Sequence, residues 1–241
     1  MSLSGKSALI VGGGTGIGLA IAEGLAAAGA TVGIAGRRFE VLEKAAEASS
    51  DEIHCHSVDV SDRESVTALI NWADKTLGKV DILVNAAGIN IKKRSMAEMV
   101  PEEWDKVMLI NATGGYNLMY TVLPQMRERK DGLIINISSI SGKRASSLGG
   151  IAYCASKFAM TALGTAAGNE EAANGIRITN VYPGEVETPI LDQRPNPVSA
   201  EHRARILQPE DFRELIVSIC NLPARAHVPE LIIKPSFQEY T

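Results

Sequence analysis

Short runs of apolar, β-branched residues recur along the chain at 8–11, 31–35, 53–58, 80–84, 133–137, 176–181 and 231–233. Most are too brief and too uniformly apolar to be strands with one wet face. They predict strands buried on both sides of a parallel sheet. Longer stretches with helical spacing separate them, such as 16–28, with Gly29 as its stop. Seven alternations of this kind predict an α/β fold, a doubly wound seven-stranded parallel sheet flanked by helices on both faces. The segment 189–207 breaks the pattern. Its Arg194-Pro195-Asn196-Pro197 cannot continue a helix, and Pro209 suits the first turn of the next one. Two readings stay open for 189–207: a plain connection, or a lid over a pocket.

The length of 241 residues suits a single domain with a core that needs no disulfides. The net charge of −4 argues against nucleic acid as the main partner. Cys55, Cys154 and Cys220 form no disulfide framework and fit a reducing compartment. The opening MSLSGKSALIVGGG has no signal-peptide pattern, and no run approaches the roughly 20 apolar residues that span a bilayer. The expectation is a cytoplasmic protein without a membrane partner. His54 and His56 have a metal-ligand spacing but no third ligand nearby in sequence, so they are read as structural and no metal is expected.

The first apolar run passes straight into Gly12-Gly13-Gly14-Thr15-Gly16-Ile17-Gly18 and then a helix. A turn of this kind brings backbone N–H groups and a helix N-terminus against a phosphate, and only glycine leaves room for the approach. The spacing Gly-x-x-x-Gly-x-Gly resembles the short-chain dehydrogenase/reductase family in its shorter, single-domain branch, whose fold is Rossmann-like. The resemblance makes Gly12, Gly14, Thr15, Gly16, Ile17 and Gly18 cofactor-binding. It departs at Val11, where the family usually has Thr or Ser. The second run ends at Gly36-Arg37-Arg38, where NAD-preferring folds carry an acid for the ribose 2′-hydroxyl. Arginine can hold a 2′-phosphate bidentately, so Arg37 and Arg38 predict NADP(H). The alternative is that they merely begin a solvated helix. By resemblance, Asp59 with Val60 lies near the adenine. Asn85-Ala86-Ala87-Gly88 matches the family's Asn-Asn-Ala-Gly except at its second position and passes close to the cofactor.

Tyr153 and Lys157 are four apart, on one face of a predicted helix. A free phenol titrates near 10, too high for a neutral proton shuttle. An ammonium about 4 Å away favours the phenolate by roughly 4 kcal/mol at an effective dielectric near 20, which predicts a phenol shifted down by about three units. Ser139 stands fourteen residues before Tyr153 and matches the family's catalytic serine, placed to hydrogen-bond a developing oxyanion. The interval is one residue longer than usual in the family, so the loop 142–151 is expected to bulge. Asn111 matches the family's helix-kinking asparagine, which anchors a proton-relay water in relatives. Pro183-Gly184-Glu185-Val186-Glu187-Thr188 matches Pro-Gly-x-Val-x-Thr, with Val186 and Thr188 expected at the nicotinamide carboxamide. The end of the chain, Lys234-Pro235-Ser236-Phe237, departs from the family's usual close.

The resemblance implies an oxidoreductase that interconverts a ketone or aldehyde and an alcohol, with Tyr153 as general acid/base and a homo-oligomeric assembly, dimer or tetramer. Lys92, Lys93, Arg94, Lys143 and Arg144 follow strand ends and could steer an anionic substrate, such as a sugar acid or a carrier-linked 3-oxoacyl group. Residues 90–111 loosely resemble gluconate-type sugar-acid reductases. The alternatives are solvated loop charges and a neutral ketone, steroid or polyol substrate. A catalytically idle NADP(H)-binding regulator would typically have lost the tyrosine or the lysine. Sugar-nucleotide epimerases have longer chains and another glycine spacing, and a methyltransferase has no reason to carry the Ser, Tyr and Lys set.

Overall fold

The computed structural model describes residues 2–239. Its centre is a seven-stranded, wholly parallel sheet in the order β3-β2-β1-β4-β5-β6-β7. The strands are β1 Ser7–Val11, β2 Thr31–Gly36, β3 Ile53–Ser57, β4 Ile82–Asn85, β5 Gly132–Ile137, β6 Ile176–Pro183 and β7 Glu230–Ile233. The helices are α1 Gly16–Ala27, α2 Phe39–Ala48, α3 Arg63–Leu77, α4 Pro101–Met108, α5 Gly114–Arg129, α6 Ile151–Glu171, α7 Ala200–Arg205 and α8 Arg213–Cys220. None of them is long and apolar enough to cross a membrane.

Alternation along β1 explains the two helical layers. Ala8 and Ile10 point into a core shared with Ile21 and Leu25 of α1, Leu42 of α2 and Ile216 of α8. Leu9 and Val11 point into the opposite core, with Leu69 of α3 and Leu118 and Val122 of α5. All four β1 side chains are completely buried. β3 and β7 are only partly buried, because they form the two edges of the sheet.

The order reverses at β1, which pairs with β2 on one side and β4 on the other. The loops leaving these strands diverge, and a crevice opens at their C-terminal ends. Two local irregularities shape it. Residues Leu109–Thr113 form a π-helical turn between α4 and α5. The segment 189–207 is more ordered than its sequence suggests: it holds a 3₁₀ turn, Pro189–Gln193, and the short helix α7. The two prolines 195 and 197 lie between them, outside any helix. Pro209 opens a 3₁₀ turn that leads directly into α8.

Candidate active site

The loops that leave β1 to β6 line a cavity of about 1090 Å³. At one end is the glycine loop. Gly12 has φ +84°, and a Cβ there would lie 2.6 Å from the Ala86 carbonyl carbon. Glycine is therefore required for the turn after β1 to pass the turn after β4. The hydroxyl absent at Val11 is not needed for the turn, since Gly12 N–H and Gly13 N–H both donate to the Ala35 carbonyl, at 2.7 and 3.3 Å. Gly14, Thr15, Gly16, Ile17 and Gly18 line the cavity with Gly36, Arg37 and Arg38. Both arginines are exposed. Asp59 and Val60 line it too, and the Asp59 carboxylate accepts from Ser61 N–H and Oγ at 2.9 and 2.6 Å. Those bonds, with Arg37 adding to them against the cost of burial, hold its carboxyl below the usual range.

The other end is built by α6. Tyr153 and Lys157 face the cavity with Ser139, Ala86, Ala87, Gly88, Pro183, Gly184, Val186 and Thr188. The Ser139 hydroxyl accepts from Ser141 N–H at 3.1 Å and favours the ionised form of the neighbouring Tyr153 phenol. Lys157 Nζ donates to the Ile137 carbonyl at 2.9 Å and lies 5.6 Å from the Tyr153 ring centroid. Asn111 is wholly buried in the π turn, where its amide accepts from Ile89 N–H at 2.8 Å and donates to Ile89 O and Ser156 Oγ at 2.9 and 3.0 Å. It ties the loop after β4 to α6. Asn85 is buried behind the cavity wall, against Met160 Sδ at 3.8 Å. Leu207 bonds to Glu185 O and Glu187 N–H, which turns the N–H and C=O of Val186 to the opposite edge.

One expectation is corrected. Burial pushes the Tyr153 phenol up, while Ser139 pulls it back, the Cys154 thiol pushes it further up and Arg94 pulls it down. Lys157 does not bring it to neutrality in this geometry. Its own ammonium is pushed down to about 8 by burial. Burial is the largest influence on both groups, and it disfavours the charged form of each.

The cavity fits a phosphorylated dinucleotide on three counts: the glycine turn at the head of α1, the pair Arg37 and Arg38, and the volume. A family model described as short chain dehydrogenase matches residues 6–198. The chain belongs to the short-chain dehydrogenase family. It is 33% identical over 234 residues to an uncharacterized oxidoreductase of Staphylococcus aureus, covering 97% of this chain and 98% of that one. It is 34% identical over 241 residues to a glycine betaine reductase of Emericella nidulans, covering 97% of this chain but only 19% of that much longer protein. Among solved structures it is similar to a closed form of serine dehydrogenase complexed with NADP+, with TM-score 0.89, 27% identity and coverage of 97% and 96%. It is also similar to a 3-ketoacyl-(acyl-carrier-protein) reductase from Brucella melitensis complexed with NADH, with TM-score 0.88, 30% identity and coverage of 98% and 99%.

Two of the five basic residues expected at the rim of this short-chain dehydrogenase, Arg94 and Lys143, are drawn away from it. Arg94 is 7% exposed and gives its guanidinium to backbone carbonyls. Lys143 pairs with Glu230 at 2.5 Å and lies 4.8 Å over the Tyr182 ring. Lys92 and Arg144 do line the cavity, and Lys93 is exposed. The physical reason is that a loop cation beside backbone carbonyls or a carboxylate makes charge-assisted hydrogen bonds that hold it there. Sequence reasoning missed Gln238 and Glu239, which line the cavity. Gln238 Oε1 accepts from Glu185 N–H at 3.0 Å, a contact across 53 residues that no local pattern announces. Lys106 of α4 also lines the cavity without having been foreseen.

Proposed function

We propose that this chain interconverts a carbonyl and an alcohol with NADP(H), using Tyr153 as general acid and base. The observation that carries the reading is that Ser139, Tyr153 and Lys157 share one cavity with the glycine turn and Arg37. When bound, the nicotinamide supplies or takes up the hydride. The Ser139 hydroxyl holds the substrate oxygen as charge develops there. Tyr153 gives that oxygen its proton in reduction and removes it in oxidation. Lys157, fixed by Ile137 O, keeps a cation beneath the tyrosine, and Asn111 holds the Gly88 turn against α6. Arg37 and Arg38 hold the 2′-phosphate, and Asp59 and Asn85-Ala86-Ala87-Gly88 support the nucleotide. Val186 and Thr188 hold the carboxamide.

The segment 189–207 serves as a lid, since Pro189, Leu191 and Gln193 line the cavity. Lys92 and Arg144 favour an anionic substrate, sugar acid or carrier-linked 3-oxoacyl group. Paired ketones offered as acids and as neutral esters test that part, and faster turnover of the esters returns both residues to solvated charges. For the core of the reading, Tyr153→Phe is expected to bind NADPH normally by fluorescence while turnover falls by about a thousandfold. Turnover near the wild-type rate would sink the assignment.

A further inference from the structure

Arg94 occupies an unusual position for a side chain that, in sequence, reads as a surface charge. Its Nε donates to Ile91 O at 2.9 Å, within the loop after β4. One terminal nitrogen donates to Leu148 O at 2.7 Å, in the loop after β5. The other donates to Gln193 O at 2.5 Å, in the segment after β6. Three loops that leave three different strands meet on one planar fork, a geometry that only arginine provides.

The main chain at Arg94 is committed as well. Its carbonyl accepts from Ile151 N–H at 3.3 Å, at the first residue of α6 and two residues before Tyr153. Gly150 caps that helix with φ +80°, and a Cβ there would stand 2.5 Å from Arg94 Cβ. The stem of Arg94 thus fills the space that this glycine leaves at the head of the helix. No carboxylate pairs with the guanidinium among the described residues, so its charge is not neutralised. It adds to the positive end of the α6 dipole.

We propose that Arg94 is a positioning residue: it locks the three substrate-side loops onto the head of α6 and sets the surroundings of Tyr153. The proposal rests on the assignment of Tyr153 as the proton-transferring group. The groups that bear on Tyr153 are Ser139 from the β5 loop, Cys154 and Lys157 on its own helix, and Arg94 from the β4 loop; Arg194 of the segment after β6 bears on Arg94 in turn. Lys92, Arg144 and Glu185 line the same cavity. Ser139 and Arg94 both pull the phenol down, Ser139 by its hydrogen bond and Arg94 by charge.

The test compares Arg94→Met, which removes both fork and charge, with Arg94→Lys, which keeps the charge and loses the fork. Two readouts are taken: amide exchange over 143–151 and 189–199 without substrate, and the pH dependence of alcohol oxidation. In Arg94→Met, exchange is expected to quicken in both loops, KM to rise about tenfold, and the rise of rate with pH to move to higher pH, because a lost cation disfavours the phenolate. In Arg94→Lys, exchange still quickens while the pH limb returns to the wild-type position. NADPH affinity stays unchanged in both. A wild-type pH limb in Arg94→Met, or unchanged exchange in both variants, overturns the proposal. The exchange readout needs no turnover, so it decides the clamp even if Tyr153→Phe were to show that another group moves the proton.

Discussion

Lys157 is 4% exposed, and its hydrogen bond goes to the Ile137 carbonyl. Its ammonium titrates near 8 instead of 10.5 because burial disfavours the charged form. A folded state that binds its proton less tightly than the unfolded chain gains stability as pH rises from about 8 to about 10.5, and is least favoured below that window. Lys157→Met is therefore expected to lose turnover yet unfold later in urea at pH 7, by up to about 2 kcal/mol after the lost hydrogen bond is deducted. The advantage should shrink towards pH 10.5. An advantage that stays constant with pH would show that burial of the charge is not its source. The same residue shows what local pattern can and cannot reveal. The four-residue spacing to Tyr153 places both on one face of α6, as expected. The direction of the tyrosine shift depends on how much protein surrounds the pair, which spacing does not encode.

Helix α7 has six residues, too few to persist in water on its own. It is held from outside. Arg203 bonds to Glu187 and Asp192, each at 2.6 Å. Glu185 accepts from Arg194 and His202 at 2.8 and 2.9 Å, and Phe237 meets the His202 ring edge-on. Arg203→Ala removes two tethers, so exchange over 199–207 should quicken and KM rise several-fold, with NADPH affinity unchanged, as for a charged network rather than a lone surface pair. An unchanged KM would mean that α7 does not govern substrate access. Burial raises the Glu185 carboxyl, but His202 and Arg194 outweigh it and leave it lowered. Its tether is thus intact above the ordinary carboxylate range and is lost as pH falls through the folded value. At this scale the seven strands were legible, each within two residues of its expected span, because β-branched runs between helical stretches leave little choice. α7 was not, because beyond its Ser199 N-cap its order comes from the distant Glu187, Asp192 and Glu185.

At the scale of the whole molecule, cofactor and fold are linked, since the glycine turn, Arg37 and the α1 N-terminus lie on the sheet's central crevice. A cofactor at one hundred times its Kd stabilises by about 2.7 kcal/mol, or roughly 5–10 °C in Tm for a chain of this size. NADPH is expected to give that shift, NADH a smaller one, and Arg37→Ala with Arg38→Ala to bring the two together. Equal shifts in the wild-type protein would refute the 2′-phosphate assignment. Sequence alone determined the parallel sheet, the glycine turn and the pairing of Tyr153 with Lys157, because these follow from periodicity and from residues close along the chain, while Ser139 was singled out by its match to the family's serine. Only the tertiary structure decided the charge balance at Tyr153, the fate of Arg94 and Lys143, and the reach of Gln238 to Glu185. Burial and long-range hydrogen bonds depend on which loops meet over the crevice, and that is settled only when all seven strands are in place.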